Sequence, residues 1–148
     1  MRSSKFPIDE VIVARLDPGD DVLLSVKQVA KEHAVTAGVF SLIGAVDRAK
    51  VGFYNPKKRA YDTRTWEPRR SGSKLLEILA CVGNVGQLDG DPVVHAHITL
   101  MGYPTSTLGG HLLEGCRINP TGELTLLKAQ GTLTRHLDKT LNLALLSL

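Results

Sequence analysis

The chain has 148 residues, 43% of them hydrophobic, with a formal net charge of +3 and a pI near 9.0. A domain of this length buries roughly 68–70% of its unfolded surface, so one domain spanning 1–148 is expected. With aromatics at 5%, its core must be built from Val, Leu, Ile and Ala. The mild positive charge permits an anionic partner without requiring one. Asp9 and Glu10 interrupt the start before a secretory apolar run can form, and "LNLALLSL" is too short for a bilayer. Two cysteines without a CxxC spacing make no disulfide framework. A cytoplasmic protein with no membrane association is therefore expected.

"IDEVIVARL" (8–16) reads as a strand, alternating and β-branched. Pro18 and Gly19 break it, and Asp20 or Asp21 can cap the next element. Val22, Leu23, Val26, Val29 and Ala30 then recur at helical spacing, predicting an amphipathic helix over 21–33. Sheet signals follow: "TAGVFSLIG" and "AVDRAKVGFY" as successive strands separated at Gly44–Ala45, then 74–85, 92–102, 122–130 and 131–137. Residues 86–91 read as a tight hairpin connection. One strand, one helix and then many strands argue for an α+β fold, a mainly antiparallel sheet packed with one principal α-helix. The leucine-rich end is expected to be buried, against its own sheet or a neighbouring subunit.

Three of the five histidines fall within "HAHITLMGYPTSTLGGH". On a strand, His95 and His97 point to the same face with Cα atoms about 6.8 Å apart, a separation from which two imidazoles can converge on one ion. Gly109 and Gly110 allow the backbone to fold back and bring His111 to them. Three histidines with an open fourth position suit Zn²⁺ and several other transition metals. The same letters also describe ordinary histidines on an exposed sheet face. His33 suits the C-terminal end of the helix, and nothing pairs His136 with the rest.

Other chemistry is thinner. Cys81 sits mid-strand, where an inert apolar thiol is the ordinary state; Cys116 follows Gly115 and could approach His111. No G-x-S-x-G, Walker A or H-E-x-x-H pattern occurs. Glu77 lies between Leu75 and Leu79 on one strand face, so it is a candidate either for a structural ion pair with Arg15 or for a site role. Between Pro56 and Lys74, Lys57, Lys58, Arg59, Arg64, Arg69, Arg70 and Lys74 oppose only Asp62 and Glu67. With Tyr61 and Trp66 interleaved, this exposed hairpin or loop could meet phosphates and stack on bases, or could simply be solvated.

"SLIGAV" (41–46), "LLEILACVGNV" (75–85), "HAHITL" (95–100) and "GGHLLEGC" (109–116) resemble the signature blocks of the plants-and-prokaryotes-conserved (PPC) domain family. "ARLDPGDDVLLSV" and "LTRHLDKTLNLALL" extend the resemblance over almost the whole chain, in order. The resemblance implies a mainly antiparallel sheet against a helix, and homotrimeric assembly. Some members of the family carry a metal at the histidines that match His95, His97 and His111, so a metal ion, expected from the ligand set to be Zn²⁺, is anticipated here. In plants the domain accompanies an AT-hook, which reads the minor groove of DNA; stand-alone prokaryotic members lack it. No R-G-R-P core occurs here, "EPRRSGSK" being the nearest segment. DNA contact would therefore rest on Lys57, Lys58, Arg59, Arg69 and Arg70. Three readings remain open. One is a metal-binding domain, as an enzyme or not, with Glu77 or Arg15 as an acid–base or anion-binding neighbour. The second is a nucleic-acid-associated module. The third is a trimeric scaffold for other proteins.

Overall fold

Asp21 starts the helix: its carboxylate accepts a hydrogen bond from the Leu24 N–H at 3.0 Å, satisfying one of the free amides of the first turn. The helix, α1 (Val22–Glu32), buries Val22, Val26 and Ala30, one stripe at 3.6-residue spacing. It ends at His33, whose N–H bonds back to Val29 O. The structure is a computed structural model, and it describes residues 1–67, 75–102 and 106–148.

The strands are β1 (Ile8–Leu16), β2 (Gly38–Asn55), β3 (Ala60–Trp66), β4 (Leu76–Leu88), β5 (Asp91–Gly102), β6 (Ser106–Leu112), β7 (Arg117–Ala129), β8 (Arg135–Asp138) and β9 (Leu143–Leu146). The main sheet runs β1-β7-β2-β4-β5-β6, with β3 paired to β2 and every pairing antiparallel. The C-terminal half of β2 also pairs with β6. The ring β2-β4-β5-β6 therefore closes on itself. Strand periodicity points alternate residues inward: Ile78, Cys81, Val85, Val94, Ala96, Ile98, Leu100, Leu124 and Leu126 are all buried and form one cluster with the helix stripe. A separate hairpin, β8-β9, follows the main sheet.

The two strands expected on either side of Gly44–Ala45 are one 18-residue strand, β2. Gly44 takes φ +135° beside a β-bulge, so the chain bends there without turning back. A side chain could not be accommodated, since a Cβ would lie 2.3 Å from the Thr121 carbonyl. The hairpin connection expected over 86–91 narrows to Asp89–Gly90, both at positive φ between Leu88 and Asp91. The strand expected over 122–130 begins earlier, at Arg117, and the one expected over 131–137 shrinks to β8. Within the basic segment, residues 60–66 form β3 in a hairpin with β2, and residues 68–74 lie outside the described residues. Among the described residues, no helix is long and apolar enough to cross a membrane.

Candidate metal centre

Because β5 alternates, burying Val94, Ala96 and Ile98 turns His95 and His97 together onto the outer face. Strand β6 adds the third ring, its register placing His111 directly opposite His97. The glycines before His111 make that approach possible. A Cβ on Gly109 would stand 2.6 Å from the Ile98 carbonyl, and one on Gly110 would stand 3.0 Å from the Gly52 carbonyl. Only a strand without side chains there fits between β5 and β2.

The ring centroids are 5.5 Å apart for His95–His97, 5.1 Å for His95–His111 and 5.7 Å for His97–His111. One ligand nitrogen from each ring lies within 4.8 Å of the others. A tetrahedral ion with metal–nitrogen bonds of about 2.0–2.1 Å sets such nitrogens about 3.3 Å apart, so small ring rotations would close the triad on one ion. Nδ1 of His111 is buried and has no hydrogen-bond partner, which is the condition of a ligand atom whose partner is not protein. Burial, and then the neighbouring histidines, push the His111 pKa down to about 4. Burial, then Arg135 and His97, also lower that of His95. Both rings are neutral at physiological pH and offer lone pairs. The residues present fit a transition metal.

Beside the triad lies a cleft of about 500 Å³, whose walls include Tyr61, Asn84, Val93, His95, His111, Arg135, Leu143 and Leu145. Tyr61, from β3, stacks on His111 with centroids 4.4 Å apart and planes 15° from parallel. Burial, and then Tyr54, hold its phenol above the ordinary range. Arg135, from β8, is buried and donates to Asn84 Oδ1 and to the Ala144 carbonyl. The β8-β9 wall is fastened down where Tyr54 Oη donates to the Leu141 carbonyl at 2.6 Å and Asn142 Nδ2 to the Arg59 carbonyl at 3.2 Å.

The structure does not bring Glu77 or Arg15 to the histidines. Glu77 is exposed and sits opposite Met101, four residues along β5 from His97, or about 14 Å at strand rise. Arg15 stands on β1, four strand positions from β5, and is paired with Asp17 at 2.9 Å. The expected Glu77–Arg15 ion pair is thus replaced by a local one. Cys116 does not meet His111; its Sγ lies 3.3 Å from the backbone of Lys50, in the core. Burial pushes Cys81 up to about 12 and Cys116 up to about 11, so both thiols are inert. Lys57, Lys58 and Arg59 occupy the exposed β2–β3 turn, with Lys58 paired to Asp62. Arg69 and Arg70 lie outside the described residues.

Sequence reasoning missed Asn84 and Arg135 as members of the site and read Tyr61 only as a stacking surface for bases. No spacing signal could have found them, since β3, β4 and β8 converge only in the fold. The weak hint was an arginine in the otherwise apolar and polar-neutral "LTRHL".

A profile of the Plants and Prokaryotes Conserved domain, abbreviated PCC or PPC, matches residues 3–130. The chain is 33% identical over 117 residues to the bifunctional protein GlmU of a Synechococcus strain. That match takes in 76% of this chain, which spans only 16% of the length of the curated relatives it matches. Among solved structures, a plant- and prokaryote-conserved protein from Pyrococcus horikoshii superposes with a TM-score of 0.87 at 26% identity, covering 99% of this chain and 97% of that one. A metal-containing protein from Archaeoglobus fulgidus superposes with a TM-score of 0.86 at 29% identity, covering 99% of both chains. A candidate DNA-binding protein from Ralstonia eutropha gives a TM-score of 0.80 at 26% identity, covering 92% of this chain and 90% of that one. The profile and the superpositions agree: this chain belongs to the Plants and Prokaryotes Conserved domain family.

Proposed function

We propose that this chain is a cytoplasmic, homotrimeric metal-binding domain that holds Zn²⁺ through His95, His97 and His111. The observation that carries the reading is the convergence of three ring nitrogens, one from each histidine, within 4.8 Å. An all-imidazole set suits Zn²⁺ and leaves a fourth position for water or a small ligand. The metal-containing relative from Archaeoglobus fulgidus adds support. Assembly is supported by the outer face of the sheet. Val13, Thr125, Ser41, Val82 and His97 form one row across five strands by register, and Val11, Val13, Val39, Ile43, Leu79 and Val82 are all exposed there. An apolar face of that extent marks an interaction surface, and the histidines border it. Elemental analysis of protein grown in zinc and purified without chelator tests the metal. One zinc per chain, lost in His95→Ala/His97→Ala, is expected, and metal-free wild type would refute it. Light scattering tests the trimer, with a mass three times the 16.0 kDa chain expected.

A second reading, contact with nucleic acid, is favoured by the exposed Lys57, Lys58 and Arg59 and by the candidate DNA-binding relative. It predicts duplex binding that falls steeply with salt.

A further inference from the structure

We propose that the cleft beside the histidines binds a small monocarboxylate with an apolar body, its carboxylate held between the metal and Arg135. The proposal rests on the metal reading above and names the ligand class of that site.

The starting point is a charge that the chain does not balance. Arg135 is only 5% exposed. Its two hydrogen bonds go to neutral oxygens, those of Asn84 and Ala144, and its Nε is buried with no partner. Among the described residues no carboxylate lies within ion-pair distance of it. A buried guanidinium without a counter-ion is costly. No acidic side chain lines the cleft either. A divalent ion on three neutral imidazoles adds positive charge to the same walls without compensation. The loaded cleft therefore has a field that only an anion from outside the chain satisfies.

The remaining walls narrow the class. Val93, Leu143 and Leu145 supply apolar surface to the walls, and about 500 Å³ is the size of a small-molecule site. A guanidinium offers planar donors that match a carboxylate. A phosphate would bring a second charge and a third oxygen. Among the described residues, no lysine and no other arginine lines the cleft to receive them.

Zinc-loaded protein is titrated by calorimetry with isovalerate, with its neutral amide isovaleramide, and with inorganic phosphate, the metal content of each sample being measured in parallel. Isovalerate is expected to bind, with the amide and phosphate at least about tenfold weaker. Arg135→Met, with zinc content intact, is expected to weaken isovalerate by about the same factor. Because Arg135 is buried, Arg135→Lys serves as the second variant, keeping the charge and giving intermediate affinity. If neither variant folds, the carboxylate-to-amide ratio in the wild type decides. Full zinc with no isovalerate binding, equal binding of the amide, preference for phosphate, or unchanged affinity in Arg135→Met would overturn the proposal and leave the metal reading standing. No binding is also the outcome if a neighbouring copy supplies the counter-ion. Protein that takes up no zinc overturns both.

Discussion

Lys57, Lys58 and Arg59 share one short turn, whereas His95, His97, His111, Tyr61, Asn84 and Arg135 come from five strands. The turn makes its own structure: Asn55 Oδ1 accepts from the Lys57 and Lys58 amides, and Asp62 pairs with Lys58. Its charges are solvated and replaceable. The cleft is the reverse case. Each of its polar groups is positioned by sheet pairings distant in sequence, some are buried without partners, and changing one disturbs the others. Function that depends on geometry belongs to the second kind of region, and the two should respond very differently to mutation and solution conditions.

The largest expected difference comes from removing the metal. A ligand bound only by the folded state stabilises it by about 4 kcal/mol when its free concentration is a thousand times Kd. Chelation of the zinc-saturated wild type should therefore lower its thermal midpoint sharply. His95→Ala/His97→Ala should start low and show no response to chelator. A triple exchange of Lys57, Lys58 and Arg59 to Ser should leave the chelator response intact. A wild-type midpoint indifferent to chelation would erase the contrast.

Next in size is the backbone that carries His111. Gly109→Val puts a side chain where a Cβ already stands 2.6 Å from the Ile98 carbonyl. Overpacking of this kind costs about 1–3 kcal/mol, and here it pushes β6 off β5. Denaturant unfolding should show the loss, and zinc content should fall with it. A variant of wild-type stability that kept its zinc would mean that His111 does not depend on this close approach.

Smaller again is a pH effect in metal-free protein. The folded state holds His111 down to about 4, against about 6.5 in an unfolded chain. Between those values the unfolded chain binds more protons, so acid favours unfolding. Stability is full above about 6.5 and declines as pH falls toward 4, with His95 adding in the same direction. His111→Gln should flatten the decline in denaturant midpoint across that window. An equally steep decline in the variant would place its origin elsewhere.

What could be read from the sequence follows the same division. The helix was legible because Asp21 and the stripe Val22, Val26, Ala30 are local signals, and the pair His95–His97 because strand period is 2. His111 was legible through Gly109–Gly110, whose smallness implies a close approach. The break expected at Gly44 was wrong because a glycine at positive φ can bend a strand as well as end one, and Thr121, which decides the matter, is far away in the chain. Glu77 misled because flanking leucines suggested burial, yet Leu79 is itself exposed on the outer face. Asn84 and Arg135 were invisible because their meeting depends on the β8-β9 hairpin returning to β4.

The smallest expected effect tests the turn itself. Lys57→Ser/Lys58→Ser/Arg59→Ser removes exposed charges, and surface changes of this sort usually stay within about 0.5 kcal/mol; loss of the Lys58–Asp62 pair adds little. If the nucleic-acid reading holds, the salt slope of duplex binding falls by about 0.9 for every phosphate that the exchanged side chains no longer neutralise. Fluorescence anisotropy on a short duplex at several salt concentrations measures that slope. A reduced slope with unchanged zinc content would assign the turn a role separate from the cleft. Binding with an unchanged slope would remove the turn from any role in holding DNA. It would also leave the two regions with separate physics: one a solvated surface, the other a cleft walled by a buried arginine and histidines.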